Sequence, residues 1–131
     1  MVFAEGDKFE EKFIVNDYVY NGFISLFDDK NPLHTDEAFA LDKGFKGKVM
    51  HGNILNGFLS RFIGECLPVK NVIIHSQEIQ YKKPVYLNDE LFFEAQVTGV
   101  YESVAVVEFK FNFKNPDNLV LAKGKFQIGV I

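Results

Sequence analysis

At 131 residues and 47% hydrophobic side chains, the chain reads as one domain over residues 1–131, long enough for a real core. A formal net charge of −4 with no long basic run argues against nucleic acid as a partner. No apolar stretch is long enough to span a bilayer, and no cationic start followed by an apolar run marks a secretory signal.

The only cysteine, Cys66, has no internal disulfide partner, which fits a reducing compartment, and a cytoplasmic protein is expected. Fifteen Phe against no Trp suggests a core or tunnel built from flat rings.

Taken in chain order, Glu10–Val15 reads as a short strand leading into Asn16, a helix N-cap with acid at Asp17 in the first turn. Tyr18, Val19, Phe23, Ile24, Leu26 and Phe27 recur at helical rather than alternating spacing, so this helix runs to about Phe27. It delivers Asp28 and Asp29 at its end. Asn31-Pro32 follows, and the proline ring crowds Asn31 out of the α region. Asp29 and His34, five residues apart, are therefore not stacked on one helical face. They flank a proline-stiffened loop that can aim both side chains at one point. A carboxylate and an imidazole so placed can move protons on and off a water or a substrate carbon.

Thr35 or Asp36 can cap a short helix over Glu37–Leu41. The segment Lys43-Gly44-Phe45-Lys46-Gly47-Lys48 is either a solvated loop or a basic rim that attracts anionic groups such as phosphates. His51-Gly52 then opens a helix to about Cys66 that stops before Pro68. Ile54, Leu55, Phe58, Leu59, Phe62, Ile63 and Cys66 form its apolar side. Between them runs a stripe of small residues, Asn53, Gly57, Ser60 and Gly64. Glycine inside a helix costs up to about 1 kcal/mol against alanine, so the stripe needs a reason. Close packing against a sheet or helix is one reason; room for a ligand is the other.

From Val72 the pattern changes to strand: Val72–Tyr81, Glu90–Tyr101, Val104–Lys114 and Leu119–Val130, joined by short turn-like links. Phe109, Phe111 and Phe113 share one face, with Lys110, Asn112 and Lys114 on the other. Long consecutive strands with short links are antiparallel. One mostly buried helix followed by four such strands predicts an α+β architecture, a sheet curved around a central helix. His75 stands unpaired with any acid and reads as structural or surface. No histidine pair has metal-ligand spacing, and no phosphate-cradling glycine loop is present, so neither metal nor cofactor is expected.

Three blocks also carry a resemblance. D-x-N-P-L-H followed by A-F-A (Asp29 to Ala40), V-M-H-G (Val49 to Gly52) and K-P-V-Y-L-N-D (Lys83 to Asp89) resemble, in order, the signatures of the MaoC-like (R)-specific enoyl-CoA hydratases and dehydratases. The resemblance covers almost the whole chain. It implies the hot-dog fold, a homodimer or higher homo-oligomer with sites near the subunit interface, and an acyl-CoA or acyl carrier protein thioester as substrate. It also favours the ligand-facing reading of Ser60.

Hydration of an α,β-unsaturated thioester requires a deprotonated water at C3, a proton at C2 and a stabilised thioester oxygen. Asp29 and His34 are expected to share the first two tasks by gripping one water. The Gly52 N–H at the helix start is expected to serve the third. Asn31, His51, Asn53 and Ser60 are expected beside the substrate, with His51 holding its turn through a ring hydrogen bond. One departure stands out: Phe27-Asp28 replaces the family's usual Ser-Gly before the acid. If that glycine serves a positive φ, aspartate is a tolerable substitute. A hot-dog thioesterase and a non-catalytic acyl-thioester-binding protein are the rival readings.

Overall fold

The computed structural model describes residues 1–131. Five strands form one antiparallel sheet: β1 (Lys8–Ile14), β2 (Val72–Tyr81), β3 (Glu90–Tyr101), β4 (Val106–Lys114) and β5 (Val120–Val130), in the order β1-β3-β4-β5-β2. Four helices precede β2: α1 (Asp17–Phe27), α2 (Pro32–Thr35), α3 (Glu37–Asp42) and α4 (Asn53–Arg61). α4 runs on into a π-helical turn, Phe62–Cys66. No helix is long and apolar enough to cross a membrane.

The expected sheet and helix are present. Alternation in β3 and β4 puts Leu91, Phe93, Ala95, Val97, Phe109, Phe111 and Phe113 on the buried face. α4 lays Ile54, Leu55 and Leu59 on that face, and the π-turn adds Phe62 and Ile63. The phenylalanines make the joint: Phe62 meets Phe93 at 4.7 Å, Phe13 stacks on Phe58 at 4.6 Å and Phe109 on Phe126 at 4.5 Å. Each fully buried ring stabilises the fold by roughly 1.5–3 kcal/mol.

β1, α3 and β5 shift by one or two residues from their expected bounds, and three further differences stand out. The link after β3 is a 3₁₀ turn, Glu102–Val104, and Ala105 is left-handed (φ 52°), so β4 begins at Val106 rather than Val104. The loop expected between Asp29 and His34 contains the one-turn α2. Asn31 is extended, as the proline requires, but its side chain caps the Leu33 N–H and Pro32 occupies the first helical position. The helix from His51 to Cys66 is α-helical only to Arg61.

β2 is an edge strand, paired with β5 on one side only, and most of its residues are exposed, including Ile73 and Ile74. A bulge lies between Ile74 and Ser76. His75 there is exposed, and its Nδ1 accepts from Gln127.

Candidate active site

The site begins with two caps. Asn16 accepts the Val19 N–H and starts α1; at the other end Asp28 takes φ 58°, ψ 26° and its N–H bonds back to the Ile24 carbonyl. Asp28 thus holds the left-handed stop that a glycine would hold, and its carboxylate turns outward to Lys30 at 3.1 Å. The chain reverses at once and presents Asp29. Its Oδ1 accepts the Asn31 N–H at 3.2 Å, an Asx turn that steadies the carboxylate.

Backbone pairing brings the three sequence blocks together. Val49 N–H donates to the Leu33 carbonyl at 3.0 Å, Met50 N–H donates to Val85 at 2.8 Å, and Val49 bridges Tyr86. The Tyr20 hydroxyl donates to the His34 carbonyl, tying α1 to α2.

These bonds also set both histidine tautomers, because a carbonyl only accepts. His34 Nδ1 carries the proton donated to the Val49 carbonyl at 2.7 Å, which leaves Nε2 as the nitrogen free to face the pocket. His51 Nε2 donates to the Asp29 carbonyl at 2.8 Å, the ring hydrogen bond expected of it. His51 is 3% exposed, and its Nδ1 finds no donor within the chain. Burial holds its pKa below the usual 6.5, the Asp29 carbonyl opposes that shift, and the nearby His34 adds to it.

Asp29, His34 and His51 each offer an atom within 4.8 Å of the others. The two rings lie against each other, 4.0 Å between centroids and inclined at 30°.

The cluster opens on a pocket of about 380 Å³ lined by Asp29, His34, His51, Gly52, Asn53 and Tyr81, among others. That volume lies in the range of small-molecule sites. The Gly52 N–H, at the start of α4, has no acceptor in the chain. A larger groove of about 620 Å³ on the outer sheet face mixes Lys8, Glu94, Lys110 and Lys125 and gathers no acid–base pair.

Of the residues expected at the site, Asp29, His34, His51, Gly52 and Asn53 line this pocket, while Asn31 and Ser60 do not. Asn31 is engaged as the α2 cap. Ser60 and Gly57 are exposed on α4 and Gly64 on the π-turn, and a Cβ at either glycine would meet nothing within 4 Å. Gly57 and Gly64 therefore pack on nothing in this chain, whereas Asn53 lines the pocket and accepts from Asn56. Of the basic segment, Lys46 and Lys48 border a groove that adjoins the pocket at Lys83, whereas Lys43 pairs with Asp42. Sequence reasoning missed Tyr81 and Lys83 as lining residues. Lys83 opens the third block and Tyr81 stands two residues before it, and that adjacency was the available signal.

The comparisons decide the family: the MaoC like domain matches residues 9–114. The chain belongs to it. An (R)-specific enoyl-CoA hydratase of Aeromonas caviae is 39% identical over 80 residues, which is 61% of this chain and 60% of that protein. A mitochondrial 3-hydroxyacyl-[acyl-carrier-protein] dehydratase of Arabidopsis thaliana is 28% identical over 92% of this chain and 73% of its own length. Among solved structures, an A. caviae (R)-hydratase involved in PHA biosynthesis superposes with a TM-score of 0.90 at 26% identity, over 99% of this chain and 98% of its own. The sheet and helix of this MaoC-like chain are thus the hot-dog fold of the (R)-hydratases.

Proposed function

We propose that this MaoC-like chain, one domain over residues 1–131, hydrates trans-2-enoyl thioesters to (R)-3-hydroxyacyl thioesters, or runs the reverse dehydration. The observation that carries the reading is the convergence of the Asp29 carboxylate and the His34 ring on one pocket that also takes in Gly52, whose N–H is free. Asp29 and His34 hold the water between them. As its oxygen bonds to C3, one of its protons passes to the pair, and the C2=C3 electrons move onto the thioester, placing charge on its oxygen. The Gly52 N–H and the helix dipole stabilise that oxygen. The proton then goes to C2 and the thioester carbonyl re-forms. The relatives named for enoyl-CoA hydration and 3-hydroxyacyl dehydration support this chemistry.

The carrier is coenzyme A or acyl carrier protein. Lys46, Lys48 and Lys83 make no ion pair in the chain and border the pocket's mouth, where phosphate groups of either carrier would lie. A second copy of the chain completes the assembly. The open β2 edge, the bare α4 stripe and the exposed Leu26 and Phe27 beside Asp29 are surfaces a monomer has no reason to leave uncovered. A cytoplasmic setting suits the half-buried thiol of Cys66, which burial and then Glu11 push up in pKa and leave unreactive.

Incubation with crotonyl and longer trans-2-enoyl thioesters on both carriers tests the reading. The expected result is loss of the conjugated double bond, an intact thioester and an (R)-3-hydroxyl. Release of free thiol would assign a thioesterase, and binding without turnover a carrier protein for acyl thioesters.

A further inference from the structure

Tyr81 ends the edge strand β2 and lines the same pocket as Asp29, His34 and Gly52. Its ring lies directly on Gly52: a Cβ there would meet Cε1 at 2.9 Å and Cζ at 3.0 Å. Cζ carries the hydroxyl, so the phenol oxygen sits beside the start of α4. Phenylalanine would cover Gly52 equally well, and the hydroxyl therefore needs its own explanation.

Asn56, on the next turn of α4, supplies the orientation. Its Nδ2 donates to the Tyr81 oxygen at 3.2 Å and to Asn53 Oδ1 at 3.0 Å. Accepting from Asn56 occupies one side of the phenol and leaves its own O–H without an acceptor in the chain. Burial raises the Tyr81 pKa above its ordinary value of 10.0, against a smaller opposing effect of the Asn56 bond, so the group stays a donor near neutral pH.

We propose that the Tyr81 hydroxyl is, with the Gly52 N–H, the second donor to the thioester oxygen, and that Asn56 is the residue that positions it. The inference rests on the hydratase reading. Tyr81 transfers no proton in this role. When the C2=C3 electron pair shifts toward C1 and charge collects on the thioester oxygen, both hydrogen bonds strengthen. When C2 takes its proton, the carbonyl re-forms and they relax. A donor whose bond tightens only as charge develops acts on kcat rather than on KM.

Two variants of the full chain test this: Tyr81→Phe, which keeps the ring on Gly52, and Asn56→Ala, which keeps the hydroxyl but frees it. With crotonyl-CoA, Tyr81→Phe should lower kcat by about 100-fold, the scale of losing one oxyanion donor, with KM little changed. Asn56→Ala should lower kcat less, also at nearly constant KM.

Isotope-edited infrared spectroscopy supplies a readout that needs no hydration, using bound butyryl-CoA, which has no double bond to hydrate. The wild-type protein should lower the thioester C=O frequency relative to solution, and both variants should lose part of that shift. A shift equally large in all three proteins overturns the inference. So does a Tyr81→Phe protein with raised KM and unchanged kcat, which would move the hydroxyl to the pantetheine arm. A wild-type protein that binds butyryl-CoA with no shift at all removes the Gly52 assignment as well, so failure of the hydratase mechanism and failure of the Tyr81 role read differently.

Discussion

The His51 ring reaches back 22 residues to donate its Nε2–H to the Asp29 carbonyl at 2.8 Å, so the residue that opens the central helix holds the backbone of the acid. The bond places a buried imidazole, its other nitrogen unpartnered, against the His34 ring. Burial keeps it neutral.

That neutrality has a pH signature. The folded His51 pKa lies below the unfolded 6.5, so as pH falls the unfolded chain takes the proton first. The stabilising contribution is complete above about 6.5 and is lost as pH falls from there through the folded pKa. Thermal melts across this range should show a decline in the wild type that is reduced in His51→Gln. An identical decline in both proteins would mean that other groups carry it.

Asp28 and Asp29 are neighbours with different work. Asp28 supplies a left-handed backbone stop and an exposed ion pair with Lys30, which contributes at most about 1 kcal/mol. Asp28→Asn should keep near-wild-type turnover, and Asp28→Gly should do the same while relieving the positive-φ strain. A dead Asp28→Asn enzyme would show that the acid has been assigned one residue late.

Much of this was legible in local patterns. Asn16 as a cap, the helix end at Phe27, the alternating phenylalanines of β4 and the left-handed tolerance at position 28 each depend on a few adjacent residues, and local chemistry decides them. The contacts between Tyr81 and Gly52 and between His51 and Asp29 join residues far apart in the chain, and no spacing rule encodes them. The π-turn at Phe62–Cys66 was hidden because it barely disturbs an apolar pattern of helical period. The alternation of β2 identifies a strand but not an edge, since edge position depends on which strands pair elsewhere.

A side chain at Gly52 has room only if the Tyr81 ring moves. Gly52→Ala would drive its methyl against the outer end of the half-exposed Tyr81 side chain, which can swing aside, so the cost falls below the roughly 1–3 kcal/mol of overpacking a core. The melting temperature should fall in Gly52→Ala and largely recover in Gly52→Ala/Tyr81→Ala, whose shortened side chain clears the space. A double variant no more stable than Gly52→Ala would place the strain elsewhere.

Ser60 lies on an open face, so Ser60→Phe has nothing in its own chain to overpack. If a second copy covers α4, the variant should melt as a folded protein yet sediment as a smaller species, with turnover reduced. Wild-type association together with wild-type kcat/KM would show that neither a partner nor a ligand meets this stripe.

The shared water held by Asp29 and His34 is tested most directly by a double-mutant cycle on kcat/KM for crotonyl-CoA hydration, using Asp29→Asn, His34→Ala and the pair. Each single change should cost about 100-fold or more, the lower end of general acid–base contributions. Residues that act as one unit are strongly non-additive, so the double variant should be no slower than the worse single. Losses that multiply would show that Asp29 and His34 act independently, and would contradict the account.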